Sequence, residues 1–250
     1  MVVRHLPAAA LRHAVTAYHG FESAEPPTRR REGPGADVVL ILSFEHEWRI
    51  DGERRMSFAG GLRLDQVVTE HDGGMHGLQV SLAPWAAHML LRVPQHELAG
   101  TSVPLEELLS PGLTERVGAE ATWDARFEML DRELGRRLAD ARRPDAGVLF
   151  AWERLRATHG AARIGAVAAD LGWSRKRLAA RFREQIGLTP KAAARLLRFE
   201  RARSLAGTMS WGELAFTCGF ADQPHLIAEF RSFTGRTPET FLQDTAGRAA

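Results

Sequence analysis

The sequence predicts an α+β N-terminal domain, residues 1–143, and an all-α C-terminal domain, residues 148–246. Three observations give this prediction: short β-branched apolar runs in the first part, helical periodicity in the second, and an internal repeat within the second. The segment Arg142 to Gly147, which contains a proline and a glycine, interrupts the helical pattern and marks the boundary between the two parts.

The composition is that of a globular protein. Of 250 residues, 44% are hydrophobic, which is enough for a buried core in each part. Cys218 is the only cysteine, so an internal disulfide and a cysteine-rich zinc site are both excluded. No early apolar run has the form of a signal peptide, and no apolar stretch of about 18 residues could cross a bilayer. We therefore expect a cytoplasmic protein that makes no contact with a membrane.

Charge is divided unevenly along the chain. The overall net charge is +2, but residues 151–250 hold 16 Lys and Arg against 9 Asp and Glu, whereas residues 1–150 hold 17 against 22. A C-terminal part of charge +7 suits a polyanionic partner. An ordinary solvated surface is the alternative that the charge alone leaves open.

The N-terminal part is predicted to combine short strands with helices. The proline-, glycine- and arginine-rich segment Ala24–Ala36 is interpreted as a loop. The predicted strands are Asp37–Phe44, Glu47–Ile50, Gln66–Glu70 and Gly77–Leu82. Helical periodicity follows in Trp85–Val93, Leu105–Leu109 and Trp123–Ala141.

The C-terminal part is predicted to consist of seven helices joined by tight turns. They are Val148–Thr158, Ile164–Asp170, Arg175–Ile186, Pro190–Leu205, Trp211–Thr217, Gln223–Phe233 and Pro238–Leu242.

This part of the sequence also repeats itself. The stretch from Val167 to Trp173 aligns with Leu214 to Phe220 at an offset of 47 residues, and the stretch from Leu178 to Pro190 aligns with Leu226 to Pro238 at an offset of 48. Each copy has a short helix with a small residue, a turn glycine, an aromatic residue and a second helix. The repeat therefore predicts two helix-turn-helix motifs, at about 164–187 and 211–235.

The second helix of each copy has one apolar face and one polar face. Leu178, Phe182 and Ile186 form the apolar stripe of the first copy, and Leu226, Phe230 and Phe233 form that of the second. At 100° per residue, the opposite face of the first helix holds Lys176, Arg177, Ala180, Arg183 and Glu184. The equivalent face of the second helix holds Pro224, His225, Ala228, Arg231 and Ser232, with Gln223 at the helix start.

These polar residues suit contacts with base edges and phosphates. Arg and Lys can donate to guanine, and Gln can pair with adenine. The DNA-binding candidates are Ser174, Arg175, Lys176, Arg177, Arg183, Gln223, His225 and Arg231. Ser174 and Asp222 are also predicted N-caps. Arg175, Arg181, Arg195 and Arg198 are expected to touch the DNA backbone or only solvent.

The region from Val148 to Leu242 resembles the DNA-binding domain of the AraC/XylS family of bacterial transcriptional regulators. The resemblance lies in both repeat copies and includes the G-F-x-D-Q-x-H-L start of the second reading helix, from Gly219 to Leu226. It implies two reading helices that enter successive major grooves of double-stranded DNA, with Pro190–Leu205 as the connecting helix. At 1.5 Å per residue that helix is about 24 Å long, against roughly 34 Å for one DNA turn. Ala180 and Ala228 depart from the family, in which longer polar side chains are common there.

The resemblance also implies a variable N-terminal domain that binds a small-molecule effector or mediates homodimerisation, often on a cupin-like barrel. A degenerate cupin-like fold is therefore one form open to residues 1–143, although the predicted strand content is low for a complete barrel. Phe44, Trp48, Trp85 and His88 are candidates to line a ligand pocket, with core packing as the alternative. The apolar stripe of Trp123–Ala141 suits either the core or a two-helix dimer contact.

The function expected from these features is sequence-specific regulation of transcription, as an activator that contacts RNA polymerase at the nucleoid. An enzyme is disfavoured, because alkyl-transfer proteins with this DNA-binding unit need a cysteine cluster and no hydrolase or phosphate-binding motif occurs. We expect no catalytic residues, cofactor or metal. A DNA-binding module fused to an enzymatic or protein-interaction N-terminal domain is the alternative.

Overall fold

The N-terminal part is rich in β-structure. The computed structural model describes residues 1–246, and within them it has ten strands. They are Val2–His5 (β1), Val15–Ser23 (β2), Thr28–Glu32 (β3), Val38–Ser43 (β4), Trp48–Ile50 (β5), Glu53–Arg55 (β6), Phe58–Gly60 (β7), Val67–His71 (β8), Met75–Leu82 (β9) and Ser102–Pro104 (β10).

These strands form two antiparallel sheets. One has the order β1-β2-β9-β4-β7-β10, and the other has the order β3-β8-β5-β6. Strand β9 is central to the larger sheet, where Val80 lies opposite Tyr18 on β2 and Leu40 on β4. All three residues are fully buried, which is why these strands carry the strongest apolar pattern in this part of the sequence.

The sequence underestimated the strand content. It located β4, β5, β8 and β9, but it missed the other six, and the interpretation of Ala24–Ala36 as one continuous loop is wrong for Thr28–Glu32. Strand β3 lies at the edge of the smaller sheet, where it pairs only with β8. An edge strand needs backbone pairing and little apolar burial, so a run of arginines can occupy it without showing a strand pattern.

Four helices accompany the sheets: Pro84–Leu91 (α1), Gln95–Leu98 (α2), Leu113–Ala119 (α3) and Trp123–Ala139 (α4). The predicted helical turn near Leu105 is a short 3-10 helix, Leu105–Glu107. On α4 the stripe formed by Phe127, Leu130 and Leu134 is at most 1% exposed and packs against the core, which includes α1. Of the two uses that the sequence left open for this stripe, the structure shows core packing.

The seven predicted C-terminal helices are all present. They are Ala146–Ala157 (α5), Ile164–Asp170 (α6), Arg175–Ile186 (α7), Pro190–Leu205 (α8), Trp211–Thr217 (α9), Gln223–Thr234 (α10) and Pro238–Ala246 (α11). Among residues 1–246, none of the helices has the length and apolar character that a membrane span requires.

A continuous apolar core joins the two parts of the chain. Helices α1 and α2 pack against α7, so the N-terminal part covers the inner side of the first repeat copy. Two hydrogen bonds extend this contact. The Ala36 N–H donates to Glu200 Oε1 on α8 at 2.9 Å, and the Gln66 side-chain amide donates to the carbonyl of Thr234 at the end of α10.

Candidate nucleic-acid interface

The two repeat copies have the same turn. Gly172 and Gly219 have φ angles of +63° and +74°, a region that favours glycine. In the first copy the Trp173 N–H donates to the Ala168 carbonyl at 2.9 Å, and in the second the Phe220 N–H donates to the Ala215 carbonyl at 2.9 Å. The sequence repeat is therefore also a structural repeat.

Each reading helix begins at a side-chain cap, as the sequence predicted. Ser174 Oγ accepts the N–H of Arg177 at 3.1 Å at the start of α7, and Asp222 Oδ1 accepts the N–H of His225 at 2.8 Å at the start of α10. These caps satisfy one of the free N–H groups at each helix end and fix the angle at which the helix leaves the turn.

The inner faces of both helices are buried in the core. Leu178, Phe182 and Ile186 of α7 and Leu226, Phe230 and Phe233 of α10 are all fully buried. Phe199, on the connecting helix α8, stacks on Phe233 with ring centroids 4.6 Å apart. This packing turns the opposite faces of α7 and α10 outward.

The outer face of α7 is strongly basic, and its cations differ in how they are held. Lys176 and Arg183 are exposed to solvent. Arg177 is also exposed, but its guanidinium lies 4.3 Å from the centre of the Trp173 ring. The Arg175 guanidinium lies against Gly165 on α6, where an added Cβ would come within 2.7 Å of Nη2. The first copy thus presents two free cations and two that rest on the motif itself.

The outer face of α10 is less basic. Gln223 and Arg231 are exposed, as is Ala228 between them. His225 is held against the turn, because its Nδ1 accepts the N–H of Ala221 at 3.2 Å and its ring meets Phe220 edge to face, with centroids 5.4 Å apart. The second copy therefore offers an amide and one arginine where the first offers several cations.

Three of the arginines expected to touch the DNA backbone or solvent are engaged within the protein. Arg181 pairs with Glu184 at 2.8 Å, and Arg195 with Glu229 at 3.1 Å. Arg198 Nη1 donates to the carbonyl of Gly160 at 2.7 Å. The Arg181–Glu184 pair has the i,i+3 spacing of neighbours on a helix and could have been found from the sequence. The partners of Arg195 and Arg198 are distant in the chain, so no local pattern indicates them.

The four candidate pocket residues do not come together. Phe44 lines a cavity of about 470 Å³ near α3. Trp48 packs edge to face on His71, Trp85 stacks on His13, and His88 Nδ1 lies 3.1 Å from the Val93 carbonyl. These three side chains serve local packing, and they lie outside that cavity.

The remaining side chains with chemistry of their own in the described residues are the potential metal ligands and one cysteine. Residues 1–246 contain no group of three or more His, Cys, Asp and Glu placed to hold a metal ion. Cys218 is buried in the second motif, and burial raises the pKa of its thiol, so it packs as a small apolar residue.

Comparison with known proteins supports the assignment of the motif. Residues 167–244 match the model of a helix-turn-helix domain family of the AraC type. No curated protein matches the sequence.

Several solved structures are similar to the chain. The C-terminal domain of AraT, a response regulator from Geobacillus stearothermophilus, is 19% identical over 41% of this chain and 88% of its own length, with a TM-score of 0.38. The xylose-binding transcription activator XylR is 23% identical over 46% of this chain and 38% of its own length, with a TM-score of 0.35. ToxT from Vibrio cholerae O395 is 10% identical over 90% of this chain and 96% of its own length, with a TM-score of 0.49.

All three TM-scores are below 0.5, so the assignment rests on the family model together with the motif geometry. That geometry is the pair of matching turns at Gly172 and Gly219, each followed by a capped helix with an exposed polar face. The C-terminal part of the chain is thus a double helix-turn-helix domain of the AraC type, and the family match together with this geometry supports a DNA-binding regulator.

Proposed function

We propose that residues 148–246 bind a two-part DNA site, with α7 and α10 in successive major grooves, and that the chain activates transcription through contact with RNA polymerase. The observation that carries the proposal is the equivalence of the two copies, each with a glycine turn, a capped helix and an outward polar face. In this role the chain acts as a regulator of chromosomal DNA in the cytoplasm, without catalysis of its own.

The exposure and contacts of the side chains on α7 support different DNA partners for different residues. Lys176 and Arg183 reach solvent freely and are the candidates for base edges. Arg175 and Arg177 lie against Gly165 and Trp173, and these contacts favour phosphates as their partners. We assign Ser174 to the helix cap, with only its exposed side available to a phosphate.

On α10, Gln223 stands at the exposed helix start and is the candidate for an adenine contact. Arg231, two turns further along, is the candidate for a phosphate or guanine contact. His225 is engaged with the turn, so we assign it mainly to holding the start of α10. The first half-site is therefore expected to depend more on charge, and the second more on the amide of Gln223.

We further propose that residues 1–143 regulate DNA binding through a small-molecule effector or through a second copy of the chain. The cavity of about 470 Å³ beside Phe44 has a size typical of small-molecule sites, and this size supports regulation by an effector. The contacts that link the N-terminal part to α7, α8 and α10 support a route by which its state reaches the reading helices.

The test is selection of DNA from random duplexes by the full-length protein at two salt concentrations. Wild type should enrich two half-sites about 10 base pairs apart. Lys176→Ala should relax base preference in one half and Gln223→Ala in the other, each by about tenfold. Lys191→Ala and Gln243→Ala remove the same groups from exposed positions outside the reading helices and serve as matched controls. Enrichment of no two-part site, or equal effects of variants and controls, would refute the proposal.

A further inference from the structure

The connecting helix α8 carries one side chain that contacts the turn before the first repeat copy and lies beside the turn glycine of the second copy. Arg198 Nη1 donates to the carbonyl of Gly160, in the turn that leads into the first motif, at 2.7 Å. Its Cδ lies 3.8 Å from the position that a Cβ on Gly219, the turn glycine of the second motif, would occupy. A single residue therefore lies between the turn that precedes the first motif and the turn of the second motif.

The surroundings of Arg198 hold it in this position. Burial lowers the pKa of its guanidinium, and its Nε is fully enclosed without a hydrogen-bond partner in the described part of the chain. The charge is opposed by the nearby carboxylate of Glu229 on α10, which also binds Arg195 one turn earlier on α8 at 3.1 Å. The Arg198 guanidinium is therefore held in a largely enclosed position, although a charged group has a lower free energy in water.

The turn that receives Arg198 fits closely against α8. Gly160 has a φ of +79°, and a Cβ there would come within 2.1 Å of the Ala194 carbonyl oxygen. The turn that leads into the first motif is thus held close against α8 at Gly160, and the second motif is joined to α8 through the Arg195–Glu229 pair. The Arg198 side chain spans the space between these two attachments.

We infer that Arg198 is a positioning residue that sets the distance and rotation between the two reading helices, and therefore the half-site spacing that the protein selects. The inference rests on the proposed two-part site and deepens it, because it assigns spacing specificity to a residue that the structure places away from both reading faces. The exposed candidates on α7 and α10 determine which bases are preferred, whereas Arg198 determines how far apart those bases lie.

One arm of the test needs no DNA. Spin labels on Arg183→Cys and Arg231→Cys, in a Cys218→Ala background of the full chain, report the distance between α7 and α10. A single narrow distribution is expected with Arg198 present, a clearly broader or shifted one with Arg198→Ala, and partial recovery with Arg198→Lys, which keeps one donor for the Gly160 carbonyl. An unchanged distribution in a folded Arg198→Ala protein would overturn the inference.

The second arm measures binding to duplexes whose selected half-sites are moved apart or together by one and two base pairs. Arg198→Ala is expected to weaken the preference for the best spacing by about tenfold while base preference within each half stays the same. Lys191→Ala, which removes an exposed cation from the same helix, should keep the wild-type spacing.

The two ways of failing are distinguishable. A uniform loss of affinity at every spacing would show a plain backbone contact and overturn the positioning role alone. A wild type that binds no two-part site would instead overturn the proposed function, and with it the claim on spacing. If Arg198→Ala does not fold, Glu229→Gln loosens the same joint and is subject to the same criteria.

Discussion

Gly160, in the turn before the first motif, and Gly172, in the turn of that motif, differ in what surrounds them, and this difference can be measured. Gly160 and Gly172 have φ angles of +79° and +63°, so alanine at either position meets the same backbone penalty, about 1 kcal/mol. At Gly172 nothing lies within 4 Å of the added Cβ, whereas at Gly160 the Cβ would lie 2.1 Å from a backbone oxygen of Ala194.

Because Cβ atoms essentially never come within 3.0 Å of such an atom, the turn must move away from α8 by about 1 Å in Gly160→Ala. Overpacking of this kind costs typically 1–3 kcal/mol, and the shift also lengthens the Arg198 hydrogen bond. We therefore expect Gly160→Ala to lower the free energy of unfolding by about 3 kcal/mol, and Gly172→Ala by about 1 kcal/mol.

Urea unfolding followed by far-ultraviolet circular dichroism compares the two variants, provided that their m-values agree with wild type. In thermal unfolding, Gly160→Ala should lose about 10 °C, and Gly172→Ala about 3 °C. Equal losses for the two variants would refute the reasoning, because the crowding by Ala194 would then contribute nothing.

Three further results are expected. Arg177→Ala should reduce the slope of log affinity against log salt by about 0.9, measured by fluorescence anisotropy, whereas an unchanged slope would mean that Arg177 neutralises no phosphate. Burial raises the pKa of Glu200, so the ionised carboxylate lowers the free energy of unfolding at neutral pH. Glu200→Gln should therefore be more stable than wild type at neutral pH, and this gain should vanish below about pH 4 in unfolding titrations. A gain that persists in acid would contradict this origin. Ser210→Ala removes the capping box that Ser210 and Glu213 form at α9 and should cost about 1 kcal/mol in urea unfolding, while the exposed Ser232→Ala serves as the neutral control.

The C-terminal fold could be predicted from sequence because its signals are local. Apolar residues recur at helical spacing, glycines mark both turns, and the second copy repeats the first. The same periodicity identified the outward faces of α7 and α10, since Lys176, Arg183 and Arg231 are exposed as expected.

The contacts that the sequence did not predict join residues that are distant in the chain or depend on side-chain conformation. Arg177 on Trp173 and His225 on Phe220 are near in sequence, but only the folded turn shows that the rings meet. The polar edge strand β3 is paired through its backbone, which leaves no pattern in its side chains. Phe44 was placed in a pocket with three residues that lie elsewhere, because aromatic composition indicates burial without indicating neighbours.

The apolar core that runs from the β-sheets through α1 and α2 into α7 makes the two parts of the chain thermodynamically dependent on one another. Unfolding of one part would expose apolar surface of the other part to water. Differential scanning calorimetry should therefore record one heat-absorption peak for the whole chain, with a calorimetric enthalpy equal to the van't Hoff enthalpy. A fragment cut at the proposed boundary would carry the reading helices intact but would expose the side of α7 that α1 and α2 normally cover. Such a fragment is expected to be less soluble than the full chain unless apolar residues on that side are replaced.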